Sequence, residues 1–381
     1  MTFLFQGRSF FGFVCLNRPK FQGRCFTAVK RKMYATLEVS DRPLLVDVDC
    51  NLLHKDLVFF GRYGVLGPQT ADTEKDDDEH IFDILRHPST QEANLHAVFS
   101  PSSTMTESGR SVELISKMKN SGGIHVKTSV GIHPYHTKPQ DTPKPSEQQI
   151  QKLKQLIDTG INSKVVSCVG ECGLDYSPSF PPKEDQIPWF QAQLKLAIEY
   201  NLPIFVHERL AFKDTLYCID EAMNSTPKAF PKIIIHCFTG TKEECSEYVR
   251  RGYYIGLTGF LRKENVEGAA EIRSILEDGI ISLDRLMIET DAPYLGFTGC
   301  RDLYLKFEEQ ALSTLNGKQR KRQIKSITPN VPSSLPMILS AVTESINKGR
   351  KQRGQATITE DEVARQTTRN AIDFFGFPNV A

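Results

Sequence analysis

The chain has 381 residues, with 47 Lys and Arg against 46 Asp and Glu, a net charge of +1, and 39% hydrophobic and 24% charged residues. This is an ordinary globular composition, long enough for one large α/β domain or two ordinary ones, and no apolar run approaches the roughly 20 residues of a membrane span. The near balance of charge excludes a protein that coats long nucleic acid by charge alone.

The sign of that charge is uneven along the chain. Residues 1–37 hold seven basic side chains (Arg8, Arg18, Lys20, Arg24, Lys30, Arg31, Lys32) and no acid, which leaves 40 basic against 46 acidic residues beyond them, a net of −6. A phosphate substrate must then be gripped locally, most cheaply by bound cations. Residues 1–40, basic and carrying Phe, Ser and Thr, have the composition of a mitochondrial transit peptide, with residues 41–381 as one domain. Initiation at Met33 would give an untargeted product, cytoplasmic or nuclear. Nine cysteines without a CxxC pair indicate neither a disulfide framework nor a thiolate zinc site, and fit a reducing compartment.

In chain order, residues 44–49 alternate as a first strand ending in acids, followed by Cys50 and Asn51. The acidic run 72–79 reads as a solvated loop. Residues 94–100 form a second strand, 105–119 have helical spacing, and 127–132 form a third strand delivering His133. A proline-rich loop follows, and then a helix on which Ser146 and Gln149 make a capping box. The β-branched run 165–169 reads as a fourth strand that ends at Glu171, with Gly170 and Gly173 letting the backbone turn.

Pro188 is expected to open the next helix, with Asn201 as its stop. A fifth strand over 203–206 ends at His207, a helix covers 212–223, and a sixth strand over 232–235 ends at His236. Thr241 and Glu244 cap another helix, stopped by Gly252. A seventh strand spans 253–257, a helix lies near 268–277, and an eighth strand over 285–290 ends at Asp291. The basic stretch 318–325 reads as a solvated insertion, with phosphate contact as the alternative. A helix capped by Ser334 runs to residue 347, and a last helix opens with Thr359 and Glu362 and closes at Gly376.

Eight strands separated by helical segments are what a (β/α)₈ TIM barrel requires. No GxGxxG follows a strand and no Walker motif is present, so no nucleotide cofactor is signalled. The carboxyl ends of barrel strands converge on one mouth, and there they offer Asp49, His133, Glu171, His207, His236 and Asp291. Imidazole and carboxylate suit divalent cations: Mg²⁺ or Mn²⁺, with Zn²⁺ also admitted, one or two per chain. A pair bridged by Glu171 is one arrangement, His207 and His236 completing the shells and Asp291 holding metal or taking a proton from water.

The segments VGIHPYH, VGECGLDY, PIFVH followed by ERLA, IIHCFTG, LMIETDAPYL and the closing TTRNAIDFFG together resemble the successive signatures of the TatD family of metal-dependent deoxyribonucleases, amidohydrolase-like barrels. The resemblance covers residues 44 to about 376. It implies hydrolysis of DNA phosphodiester bonds, commonly from the 3′ end. It further implies metals at Glu171, His207, His236 and Asp291, and places His133 and Arg209 near metal or scissile phosphate.

Three departures stand out. Asp49-Cys50-Asn51 occupies the place of the family's His-x-His pair, leaving Asp49 and Asn51 as weaker ligands. Leu210 stands where an acid usually follows HxR, and Asn330-Val331-Pro332 replaces Asn-Glu-Pro. Two other functions fit the same strand ends: an ester or amide hydrolase on the same barrel, or a non-catalytic binding barrel.

Overall fold

The computed structural model describes residues 42–67, 78, 80–118, 122–138, 144–227 and 229–379. The leader expected over 1–40, most of the acidic run 72–79 and residues 139–143 of the proline-rich loop lie outside those residues.

Eight strands pair in parallel in chain order: β1 (Leu45–Asp47), β2 (Leu95–Ser100), β3 (His125–Val130), β4 (Val166–Asp175), β5 (Ile204–Arg209), β6 (Ile233–Ile235), β7 (Tyr254–Leu257) and β8 (Leu286–Ile288). The ends of the sheet meet where the Val48 N–H donates to the Ile288 carbonyl at 3.4 Å and Cys50 bridges Ala292 in parallel. Buried on both faces, as parallel strands under a coat of helices must be, they leave little polar alternation. This explains why β6 and β8 read as plain apolar runs.

The interior of the barrel is filled by Val46, Val48, Ala97, Phe99, Cys168, Phe205, Ile234, Tyr254 and Met287. It is closed from below by the helix Glu360–Phe375, whose Phe375 ring lies 4.3 Å from Phe99. Phe99 in turn stands 5.0 Å from Phe205, and Phe205 stacks on His236 at 4.5 Å. A column of rings thus links the floor of the barrel to a histidine at its mouth. The same last helix ties the first and last strands together, because the Thr368 hydroxyl donates to the Leu44 carbonyl and the Asn370 amide donates to the carbonyls of Leu283 and Leu286.

Three expectations are corrected. Glu171 and His207 lie inside β4 and β5 and not at their ends, because Gly170 and Gly173 (φ +141° and +144°) let β4 bulge through Glu171 and resume pairing with β5 beyond it. At Gly173 a Cβ would sit 1.9 Å from the His207 carbonyl oxygen, so only glycine permits this approach. The helix expected to open at Pro188 begins a turn earlier, as Lys183–Tyr200, where Glu184 and Asp185 in its first turn suit the helix dipole. Ser334 precedes the helix Leu335–Gln352 but provides no side-chain cap, its buried hydroxyl having no hydrogen-bond partner. The capping boxes at Ser146, Thr241 and Thr359 and the left-handed stops at Asn201 and Gly376 form as the sequence indicates.

Candidate metal centre

Glu171 is buried at the centre of the mouth, and one of its oxygens collects three imidazoles: Nε2 of His133 at 3.2 Å, Nδ1 of His207 at 3.1 Å and Nε2 of His236 at 2.9 Å. Burial pushes its carboxyl up, but the imidazoles of His133 and His236 more than offset this and hold it well below the usual carboxylate range. His207 is gripped from its other side by Asp175, whose Oδ2 lies 2.9 Å from Nε2. Burial would lower the His207 pKa, yet its hydrogen bonds to Asp175 and Glu171 raise it. His133 goes the other way, lowered by burial despite Glu171.

A second group stands beside the first. Nδ1 of His236 lies 3.0 Å from Oδ2 of Asp49 and 3.8 Å from Oε1 of Glu289, all three side chains being buried. Burial, reinforced by Asp291 and Glu171, lifts the Asp49 carboxyl well above its ordinary range. Burial likewise raises Glu289, partly opposed by His236. His236 itself, lowered by burial but surrounded by Glu171, Glu289 and Asp291, is raised to about 9.

The donor set fits divalent cations on a specific observation. His236 Nδ1 and Asp49 Oδ2 are close enough to bond, yet neither has a hydrogen-bond partner, and Glu289 Oε2 is a third buried orphan. Buried polar atoms left unpaired are costly. Ligand atoms that converge on a shared point and not on each other are what a cation site requires. No ion pair of lysine or arginine with Asp49, Glu171, Glu289 or Asp291 forms among the described residues, so only imidazoles offset these carboxylates there. His133, Glu171 and His207 form one group of close ligand atoms, and Asp49, His236 and Glu289 form another.

Asp291 joins them from the residue run after β8. Its backbone N–H donates to the Asp49 carbonyl at 2.8 Å, and its Oδ1 accepts from Asn51 at 3.2 Å. Burial raises its carboxyl to about 7, opposed by His236 and aided by Glu171. Asn51 also approaches Asp49 Oδ1 at 3.4 Å, so its amide links two carboxylates. Arg209 ends β5 with an exposed side chain and no ion pair among the described residues.

The structure thus brings the expected Asp49, Asn51, His133, Glu171, His207, His236 and Asp291 to one place and leaves Arg209, expected near metal or phosphate, exposed at the rim. Sequence reasoning missed Glu289, Asp175 and Asp47. Glu289 lies two residues before Asp291, just beyond the end of β8, and Asp175 lies four after Glu171 within β4, the even spacing of one strand face. Taking β4 to end at Glu171 hid the second of these. Asp47 accepts from the Thr290 amide and hydroxyl at 2.8 and 2.6 Å, clasping β1 to the segment that carries Glu289 and Asp291.

A family model described as TatD related DNase matches residues 60–376. Curated relatives named 3′-5′ ssDNA/RNA exonuclease TatD include one from Escherichia fergusonii, 36% identical over 171 residues, and one from Salmonella typhimurium, 39% identical over 171 residues. These matches cover 45% of this chain and 59% of each relative, so the chain spans just under three fifths of the relatives' length. Among solved structures, a hydrolase TatD family protein from Entamoeba histolytica superposes with a TM-score of 0.63 at 23% identity over 88% of this chain and 99% of that one. An uncharacterized amidohydrolase from Saccharomyces cerevisiae gives 0.60 at 17% identity over 87% of this chain and 100% of its own. These two likenesses carry the fold, and the family match over most of the chain carries the rest: the chain belongs to the TatD related DNase family.

Proposed function

We propose that this chain is a divalent-metal-dependent nuclease that hydrolyses phosphodiester bonds at the 3′ end of single-stranded DNA or RNA. The observation that carries the reading is the set of buried, unpaired ligand atoms on Asp49, His236 and Glu289 beside the imidazole-ringed Glu171. Family membership and the relatives' printed activity support the substrate class.

Glu171, His133 and His207 would hold one cation and Asp49, His236 and Glu289 a second, with Asp291 adjoining both; this mixed imidazole and carboxylate set suits Mn²⁺ or Zn²⁺, and the carboxylates also admit Mg²⁺. When bound, such cations supply Lewis acidity toward a phosphate oxygen and toward water. Asp291, buried beside both groups and steadied by the Asn51 amide, is placed to accept the proton of the attacking water. His133 accepts the Tyr135 N–H at Nδ1 and turns Nε2 toward Glu171, which suits it to hold a cation there, and Arg209 at the rim can pair with the departing nucleotide's phosphate.

The test is a metal-titrated assay on end-labelled single-stranded oligonucleotides comparing wild type with Glu171→Gln and Asp291→Asn. Both variants are expected to lose about 10²- to 10⁴-fold in kcat, and Glu171→Gln also to lose bound metal. Equal rates in all three proteins would overturn the mechanism. We also propose that residues 1–40 direct the chain to mitochondria, which cell fractionation of forms starting at Met1 and Met33 checks.

A further inference from the structure

The mouth carries more aromatic surface than the fold needs. Tyr135, on the 3₁₀ turn after β3, is 52% exposed, and Tyr294, just after Asp291, is 51% exposed. Large rings are normally set into cores, and single exposed ones are common. These two differ in where they lean.

Tyr135 meets Phe180 edge-on at 5.4 Å. Phe180 in turn lies nearly parallel to His207 at 6.1 Å and edge-on to His133 at 5.9 Å. A continuous path of rings therefore runs from solvent to the imidazoles around Glu171. On the side where β8 meets β1, the Tyr294 N–H donates to the Asp291 carbonyl at 2.7 Å and its ring rests edge-on against His54 at 5.1 Å. Tyr294 thus follows the Asp291 carboxylate by three residues, with its ring held at the mouth by His54. Neither tyrosine hydroxyl has a hydrogen-bond partner among the described residues, so neither ring is held out by a polar anchor.

We propose that Tyr135 with Phe180 on one side of the mouth, and Tyr294 on the other, are stacking platforms for the unpaired bases at the end of the bound strand. This specifies the substrate of the nuclease proposed above and rests on that reading. The physical case is one of charge and shape. The body of the chain is net acidic and the mouth is lined with carboxylates, so a strand held only by its phosphates would be repelled everywhere except at the cations. Ring faces add a grip that carries no charge and accepts any base, because every base offers a π-face. They also select against paired ends, since a base inside a duplex must first unstack before it can lie on a side chain.

The experiment uses the full chain with Mn²⁺ and two short single strands, one ending in ordinary bases and one ending in two abasic tetrahydrofuran residues. Wild type is expected to show a KM about 5- to 100-fold lower for the base-bearing strand. Tyr135→Ala and Tyr294→Ala should each bring that ratio toward one, while Tyr135→Phe and Tyr294→Phe should keep it. Both tyrosines are half exposed, so the variants are expected to fold, and their metal content is measured alongside.

A second reading, independent of turnover, is the fluorescence of 2-aminopurine at the 3′ end, which stacking on a ring quenches. Quenching by wild type that is lost in the alanine variants supports the platforms. Quenching or KM ratios unchanged in those variants overturn them. Failure of wild type to cleave either strand would instead overturn the nuclease reading, and the quenching would still decide the stacking.

Discussion

Asp175 acts on the site through another residue. By occupying Nε2 of His207 it leaves Nδ1 to face Glu171, fixing both the tautomer and the tilt of the ring. Burial opposes ionisation of Asp175, but the hydrogen bond from His207 keeps its carboxyl below the ordinary range, so it remains an acceptor at neutral pH. An Asp175→Asn variant is expected to bind Mn²⁺ about 10- to 100-fold more weakly, read by metal titration. Unchanged affinity would reduce Asp175 to a packing role. Asp47 has a comparable role on β1, where its two bonds from Thr290 set the path of the Glu289–Asp291 segment.

At the scale of elements, the junction of β4 and β5 is the most demanding region of the structure. Gly173 sits at φ +144°, directly against the His207 carbonyl. Gly173→Ala must therefore push two ligand-bearing strands apart, and a loss of more than about 3 kcal/mol is expected by chemical denaturation, with activity lost in parallel. The same junction shows why the sequence was only partly legible. Helix ends were readable because Ser146, Thr241 and Thr359 cap through their own side chains, a local signal. The bulge at Glu171 depends on where β5 lies, which no run of residues states. The short helices between β8 and Asn330 went unread for a similar reason: they bury few residues each and are held by distant partners, such as Arg301 on the Thr328 carbonyl and Gln323 on the Val65 carbonyl. The ligand positions were legible because barrel topology sends every strand end to one face, whereas Glu289 was not, since nothing local separates a buried ligand from a satisfied core acid.

The whole molecule couples its floor to its mouth through packing. Phe375, at the end of the last helix, fills the floor of the barrel against Phe99, and Phe375→Ala is expected to cost about 3–5 kcal/mol, measured by urea unfolding. Protonation acts on the whole fold as well. Asp291 is raised from 3.8 to about 7 and His236 from 6.5 to about 9. A group held protonated by the fold stabilises it below the unfolded pKa, and that contribution is lost as pH rises through the folded value. The metal-free protein should accordingly lose melting temperature as pH rises from about 5 to about 9, against the contrary but more acidic effect of Glu171. Divalent cations should reverse the trend, since they bind the deprotonated ligands. At 100 times the dissociation constant they would add about 2.7 kcal/mol. Melting curves with chelator and with Mn²⁺ across that range check both slopes, and parallel curves would contradict them.

The clasp between Asp47 and Thr290 has a further consequence for how the protein comes into being. Asp49 is contributed early in the chain, Glu289 and Asp291 about 240 positions later, and the helix that seals their meeting later still. A growing polypeptide can therefore own half a cation cage for most of its synthesis without being able to use it. Under the function proposed above, the two cation sites would be complete only with the final turn of the ring.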